Sequence, residues 1–128
     1  MNNRYPKLEQ ILCAQPGATH DYKPEWGWDR YLVGGKMFAA TCLPDMKHGI
    51  YGGHPLLSIK CDPLRAQALQ EQFEVIHPGF YMDKTHWISI FLDGSVPDDI
   101  VYDLCSSAYQ LVFSKLTRRL QSQILSQS

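Results

Sequence analysis

The segment His77-Pro78-Gly79-Phe80-Tyr81-Met82-Asp83-Lys84-Thr85-His86-Trp87 gathers three aromatic rings, two histidines and a lysine. Cationic donors of this kind meet phosphate oxygens, and exposed rings stack on bases. Lys36 and Lys60 extend the same chemistry. On a strand running to Cys61, Lys60 alternates onto the face away from Leu57 and Ile59. Trp87 and Phe91 occupy the matching face of a second strand, so pairing the two strands yields a Lys–Trp–Phe surface. The competing reading buries Phe80, Tyr81 and Trp87 beneath a long loop and leaves the lysines as solvated charges.

Other reactive residues carry weaker signals. His20-Asp21 is a histidine–carboxylate neighbour pair. Consecutive strand residues point to opposite faces, so the two do not form a base and its orienting partner. His48 and His54 fall in a glycine-rich connection and read as solvated side chains. Asp98 and Asp99 suit the positive end of a helix dipole. No nucleophile elbow, phosphate-binding glycine loop or dinucleotide fingerprint is present. No catalytic residue is therefore assigned. Cys13, Cys42, Cys61 and Cys105 are widely spaced, with no C-x-x-C pair, which points to reduced thiols and no metal. No cofactor is implied.

These residues need a scaffold, and 128 residues supply one domain. A 45% hydrophobic and 20% charged composition is that of an ordinary globular chain. The formal charge of −1 excludes a strongly basic nucleic-acid binder, though not a locally basic one. No apolar run approaches the roughly 18 residues of a membrane span, and Met1 to Pro6 lacks the apolar stretch of a secretory signal. The expectation is a cytoplasmic domain with no membrane contact.

Periodicity predicts a first helix over Tyr5 to Cys13, stopped by Pro16-Gly17, and a short extended stretch from Thr19 to Tyr22. Arg30–Val33 and Lys36–Thr41 flank Gly34-Gly35, the signature of a two-residue β-hairpin turn. That turn pairs Val33 with Lys36, Leu32 with Met37 and Tyr31 with Phe38. Both hairpin faces are apolar, so the pattern does not choose which one meets the helices. Pro44 to His54 reads as a mobile loop, Leu56 to Cys61 as a strand, and Asp62-Pro63 as a helix start. Leu64, Ala68, Leu69 and Phe73 are expected on that helix's buried side. Val75 to His86 reads as irregular and Trp87 to Leu92 as a strand. A long helix follows from Pro97, with Ser95 and Asp98 as a capping box. Residues 117–128 read as a polar tail. Together these elements make an α+β domain: two layers, an antiparallel sheet covered by helices.

The sequence also resembles the MmcQ/YjbR family of small bacterial proteins. The resemblance is carried by Leu12 to Thr19, Val33 to Ala39, Leu57 to Pro63, Pro78 to Trp87, Leu92 to Asp98 and Ala108 to Val112, in that order. It covers most of the chain, from near the start to about Leu116. It implies a single domain with a fold similar to type III secretion chaperones. It also implies DNA binding through a winged surface of β-hairpins, with no agreed catalytic site. The matching basic and aromatic positions are Lys36, Lys60, Lys84, His86 and Trp87, to which the loop adds His77. Thr85 stands where a second Lys or Arg is common.

The leading expectation is a non-enzymatic module making weak, salt-sensitive, sequence-tolerant contact with DNA. The alternative is a protein-interaction module anchored by Trp26, Trp28, Phe80 and Tyr81. Charge geography separates them. Lys36, Lys60 and Lys84 gathered on one face favour nucleic acid, whereas scattered lysines beside an exposed apolar patch near Trp26 and Trp28 favour a protein partner.

Overall fold

A computed structural model describes residues 4–127. Helix α1 (Leu8–Ala14) leads to strands β1 (Thr19–Lys23), β2 (Trp28–Val33) and β3 (Lys36–Cys42). Strand β4 (Leu56–Lys60) precedes α2 (Pro63–Gln72), β5 (Ile76–Pro78) and β6 (Trp87–Phe91). Helices α3 (Asp98–Phe113) and α4 (Arg118–Gln127) complete the chain. The strands form one antiparallel sheet in the order β1-β2-β3-β4-β6-β5, with the helices layered against one face. This is the α+β, two-layer arrangement that the pattern predicts. Among the described residues no helix is long and apolar enough to cross a membrane.

The hairpin forms as expected at its turn: Gly34 and Gly35 take φ of +59° and +77°, and Val33 pairs with Lys36. Two residues further on the register departs from expectation. Tyr31 pairs with Ala39 rather than Phe38, because Phe38 is the extra residue of a β-bulge. The bulge turns both Phe38 and Ala39 toward the helices, where Phe38 meets Tyr109 edge-on at 5.5 Å. It also sends Ala40 and Cys42 to the opposite face. The helix-facing set is therefore Tyr31, Val33, Phe38, Ala39, Leu57, Ile59, Ile88 and Ile90, packed under α3.

Four local expectations need correction. Tyr5 precedes α1, in a turn, and its hydroxyl donates to the Val96 carbonyl at 2.7 Å. In α2 the buried residues are Ala66 and Leu69, while Leu64 is 80% exposed, so the helix is rotated from the predicted stripe. The Ser95–Asp98 capping box does not form, since Pro97 occupies the cap and Ser95 N–H donates to Asp93. The segment from Ile76 to Pro78, expected to be irregular, is an edge strand on β6. Asp62 does cap α2, its carboxylate accepting from Leu64 and Arg65 N–H.

The C-terminal segment differs most. Residues 117–128 were expected to be a polar tail, yet Arg118–Gln127 is a helix. Leu116, Leu120 and Ile124 recur every four residues and form a narrow apolar stripe among polar neighbours. That stripe closes over two turns. A Cβ at Gly34 would lie 2.9 Å from Leu116, and one at Gly17 would lie 2.7 Å from Ile124. Thr117 starts the helix, accepting from Leu120 N–H at 3.2 Å.

Candidate binding cleft

The face of the sheet opposite the helices carries a second, smaller apolar cluster of Trp28, Ala40, Cys42, Leu56 and Phe80. No helix covers it. Two loops do so instead: Pro44 to Pro55, with a single 3₁₀ turn at Gly49–Tyr51, and the 79–86 loop. Both are tethered. Tyr51 hydroxyl donates to the Pro78 carbonyl at 2.7 Å, so the loop expected to be mobile is anchored at its centre. Phe80 N–H donates to Ser89 Oγ at 2.9 Å, and Gly79 N–H donates to the Trp87 carbonyl at 3.0 Å. Tyr81 follows with φ of +55°, the left-handed conformation that non-glycine residues seldom adopt. Its ring stays 73% exposed while Phe80 plugs the cluster.

Between these loops and the β1–β2 turn runs a cleft of about 690 Å³. Its apolar walls are Trp26, Trp28, Met37, Leu43, Pro44, Phe80, Tyr81 and Met82. Its charged groups are Glu25, Asp45 and Lys47, with His48 beside them. Trp26 sits at the rim, 53% exposed, and meets buried Trp28 edge-on at 5.3 Å. Lys23 and Arg30 flank the same ring, at 5.3 and 5.8 Å from its centroid. Arg30 also forks onto Asp21 at 2.8 and 2.6 Å, which holds the Asp21 carboxyl below its ordinary range. Met46 and Ile50, on the adjoining loop, are exposed as well.

The expected contact residues do not all share one face of the sheet. Lys60 and Trp87 do pair across β4 and β6, with the ammonium 5.6 Å above the indole. Trp87 is only 6% exposed, however, so it offers no free face for stacking. Lys84 turns back to donate to the Gly79 carbonyl at 2.8 Å. His86 Nδ1 lies 2.7 Å from Asp83, and this hydrogen bond is the main cause that lowers the Asp83 pKa. Lys36 pairs with Val33, on the helix-covered side of the sheet.

His77 belongs to a belt that the sequence did not reveal. It packs against Phe91 at 4.7 Å and Tyr51 at 6.0 Å, while His54 stacks flat on Phe91 at 4.2 Å. Burial, and secondly the nearby His54, lowers the His77 pKa. His48 lies edge-on to Phe80 and Tyr81 at 5.3 and 5.6 Å. His48 and His54 are thus ring partners of aromatic residues rather than freely solvated side chains. The spacing of these rings along the chain has no period, because cross-strand pairing and loop tethering bring them together.

The family model for YjbR matches residues 13–111. The protein YjbR of Escherichia coli K12 is 30% identical over 104 residues, covering 81% of this chain and 82% of that protein. YyaQ of Bacillus subtilis is 38% identical over 61 residues, covering 48% of this chain and 51% of that protein. Both relatives are described as uncharacterised. A crystal structure of the Deinococcus radiodurans protein DR2400 superposes with a TM-score of 0.79, 24% identity and coverage of 97% of this chain and 91% of that one. A Pseudomonas syringae protein gives a TM-score of 0.69 at 22% identity, covering 87% and 98% of the two chains. Those solved structures share its fold, and on the match over residues 13–111 and the Escherichia coli relative the chain belongs to the YjbR family.

Proposed function

We propose that this chain is a non-enzymatic protein-interaction module whose cleft takes an apolar segment of a partner protein. The observation that carries this reading is the cleft's own lining. Exposed Trp26 and Tyr81 flank it, and its charged groups are two carboxylates, Glu25 and Asp45, against one ammonium, Lys47. Tryptophan and tyrosine anchor protein interfaces, whereas a phosphate backbone needs an excess of positive charge. The placement of Lys36 on the face of the sheet opposite Lys60 points the same way. Trp28 and Phe80 beneath the rim give the anchors a rigid floor.

Contact with single-stranded nucleic acid is the second reading, favoured by one observation. Lys23 and Arg30 on Trp26 are the cation–aromatic combination on which an unpaired base stacks. One experiment separates the two. The full chain is panned against displayed random peptides, and oligo-dT and duplex DNA are titrated across a salt series. The protein reading expects enriched apolar and aromatic peptides whose affinity falls at least about tenfold in Trp26→Ala and Tyr81→Ala. Oligo-dT binding that weakens steeply with salt, with no peptide enrichment, replaces it with the nucleic-acid reading.

A further inference from the structure

On the helix side of β1, Glu9, Cys13 and His20 bring one ligand atom each within 4.8 Å of one another. We propose that these three residues bind a Zn(II)-class ion. Glu9 and Cys13 are four apart on α1 and so share one helical face. The chain then turns back at Pro16-Gly17, a turn fixed from three sides. Tyr109 hydroxyl donates to the Pro16 carbonyl at 2.6 Å, Ala18 N–H donates to Gln15 at 3.0 Å, and Gly17 at φ +72° lies under Ile124. This return sets His20 over the Glu9–Cys13 face, with Nδ1 at 3.8 Å from the Glu9 carboxylate.

The imidazole is already oriented as a ligand. Its Nε2 lies 2.9 Å from Asp29 Oδ1. An ionised carboxylate only accepts, so Nε2 carries a proton, and in the neutral ring the Nδ1 lone pair lies on the Glu9 side. A carboxylate behind a ligating histidine is the usual second layer of zinc sites. Tyr31 backs the ring face at 4.5 Å and 14°, which fixes its plane. Carboxylate, thiolate and imidazole together suit a borderline-soft ion, and three protein ligands leave a fourth position open. A cleft of about 230 Å³, lined in part by Glu9, His20 and Asp29, adjoins two of the three ligands and gives room for water or a small anion. Tetrahedral zinc places such donors about 3.5 Å apart, so the exposed side chains close in by about 1 Å on binding.

The test uses the full, reduced chain and Co(II) as a spectroscopic probe, followed by Zn(II) competition. The expected result is one Co(II) per chain with a thiolate-to-cobalt charge-transfer band that Zn(II) abolishes. Cys13→Ser removes the band, and His20→Gln and Glu9→Gln weaken binding. Asp29→Asn, which touches no ion, weakens it about 10- to 100-fold. Circular dichroism checks each fold. A Co(II) spectrum without the sulfur band, a band that survives Cys13→Ser, or less than one ion bound per chain overturns the proposal.

Discussion

Ser58 and Ser89 face each other across β4 and β6, their hydroxyls 2.7 Å apart and both buried. Ser89 also accepts the Phe80 N–H, so this pair is the polar rivet that fastens the 79–86 loop to the open face of the sheet. Ser89→Ala strands a buried N–H and a buried hydroxyl together, at a cost of about 1–3 kcal/mol. The double variant Ser58→Ala/Ser89→Ala should lose less than the sum of the single variants, since neither hydroxyl is then left behind. Urea unfolding of the four proteins measures this. Additive losses would show that the two serines act separately.

The C-terminal helix is predicted to be part of the core. Ile124 is 7% exposed and lies against Gly17, so Ile124→Ala should destabilise the chain by about 2–4 kcal/mol. Gly17→Ala should destabilise it as well, because Gly17 has φ +72° and a Cβ there would meet Ile124 at 2.7 Å. Thermal melts of both variants give the answer. A frayed tail would leave Ile124→Ala within about 0.5 kcal/mol of wild type.

How far the sequence led can be read from particular residues. Gly34-Gly35 specified its hairpin because only glycine takes both positive φ values readily. Asp62-Pro63 specified α2 because cap and first-turn chemistry are local. The stripe Leu116–Leu120–Ile124 was legible in spacing but outvoted by its polar neighbours, and its worth depends on distant glycines. Phe38 as a bulge has no local signal at all, since the extra residue is fixed by its packing on Tyr109. The cleft shows the same division. Trp26, Trp28, Phe80 and Tyr81 were identifiable as aromatic anchors. The balance of Glu25, Asp45 and Lys47 beside them depends on how the two loops fold over the sheet.

Thiol accessibility should split one against three. Cys13 is exposed, while Cys42, Cys61 and Cys105 are buried. Burial pushes the Cys42 and Cys105 thiols up to about 12, and raises Cys61 as well. Partial burial and then the Glu9 charge raise Cys13 too, so even the accessible thiol should react more slowly than a free one. Titration with a chromogenic disulfide should find one thiol in the native chain and all 4 in denaturant. More than one native thiol would mean that the packing around Cys42, Cys61 or Cys105 opens readily.

His77 should make stability depend on pH between neutral and mildly acid solution. It is held against Tyr51 and Phe91, with His54 stacked on the far ring, and burial followed by His54 lowers its pKa below the ordinary value of about 6.5. The unfolded chain therefore takes up a proton at this site at higher pH than the folded chain does. The stabilisation of neutral His77 is complete above about pH 6.5 and is lost as pH falls through the lower folded value. Asp21 and Asp83, whose folded pKa values are also lowered, act in a separate window beginning near the ordinary carboxylate value of about 3.9. Urea midpoints at pH 7.5 and 5.5 should accordingly fall in the wild type, and His77→Gln should remove much of that fall. His54→Gln should reduce it by less, since it relieves only the smaller, charge-based cause. If His77→Gln retains the whole decline, protonation at His77 is not coupled to folding and the ring belt does not exclude its charged form.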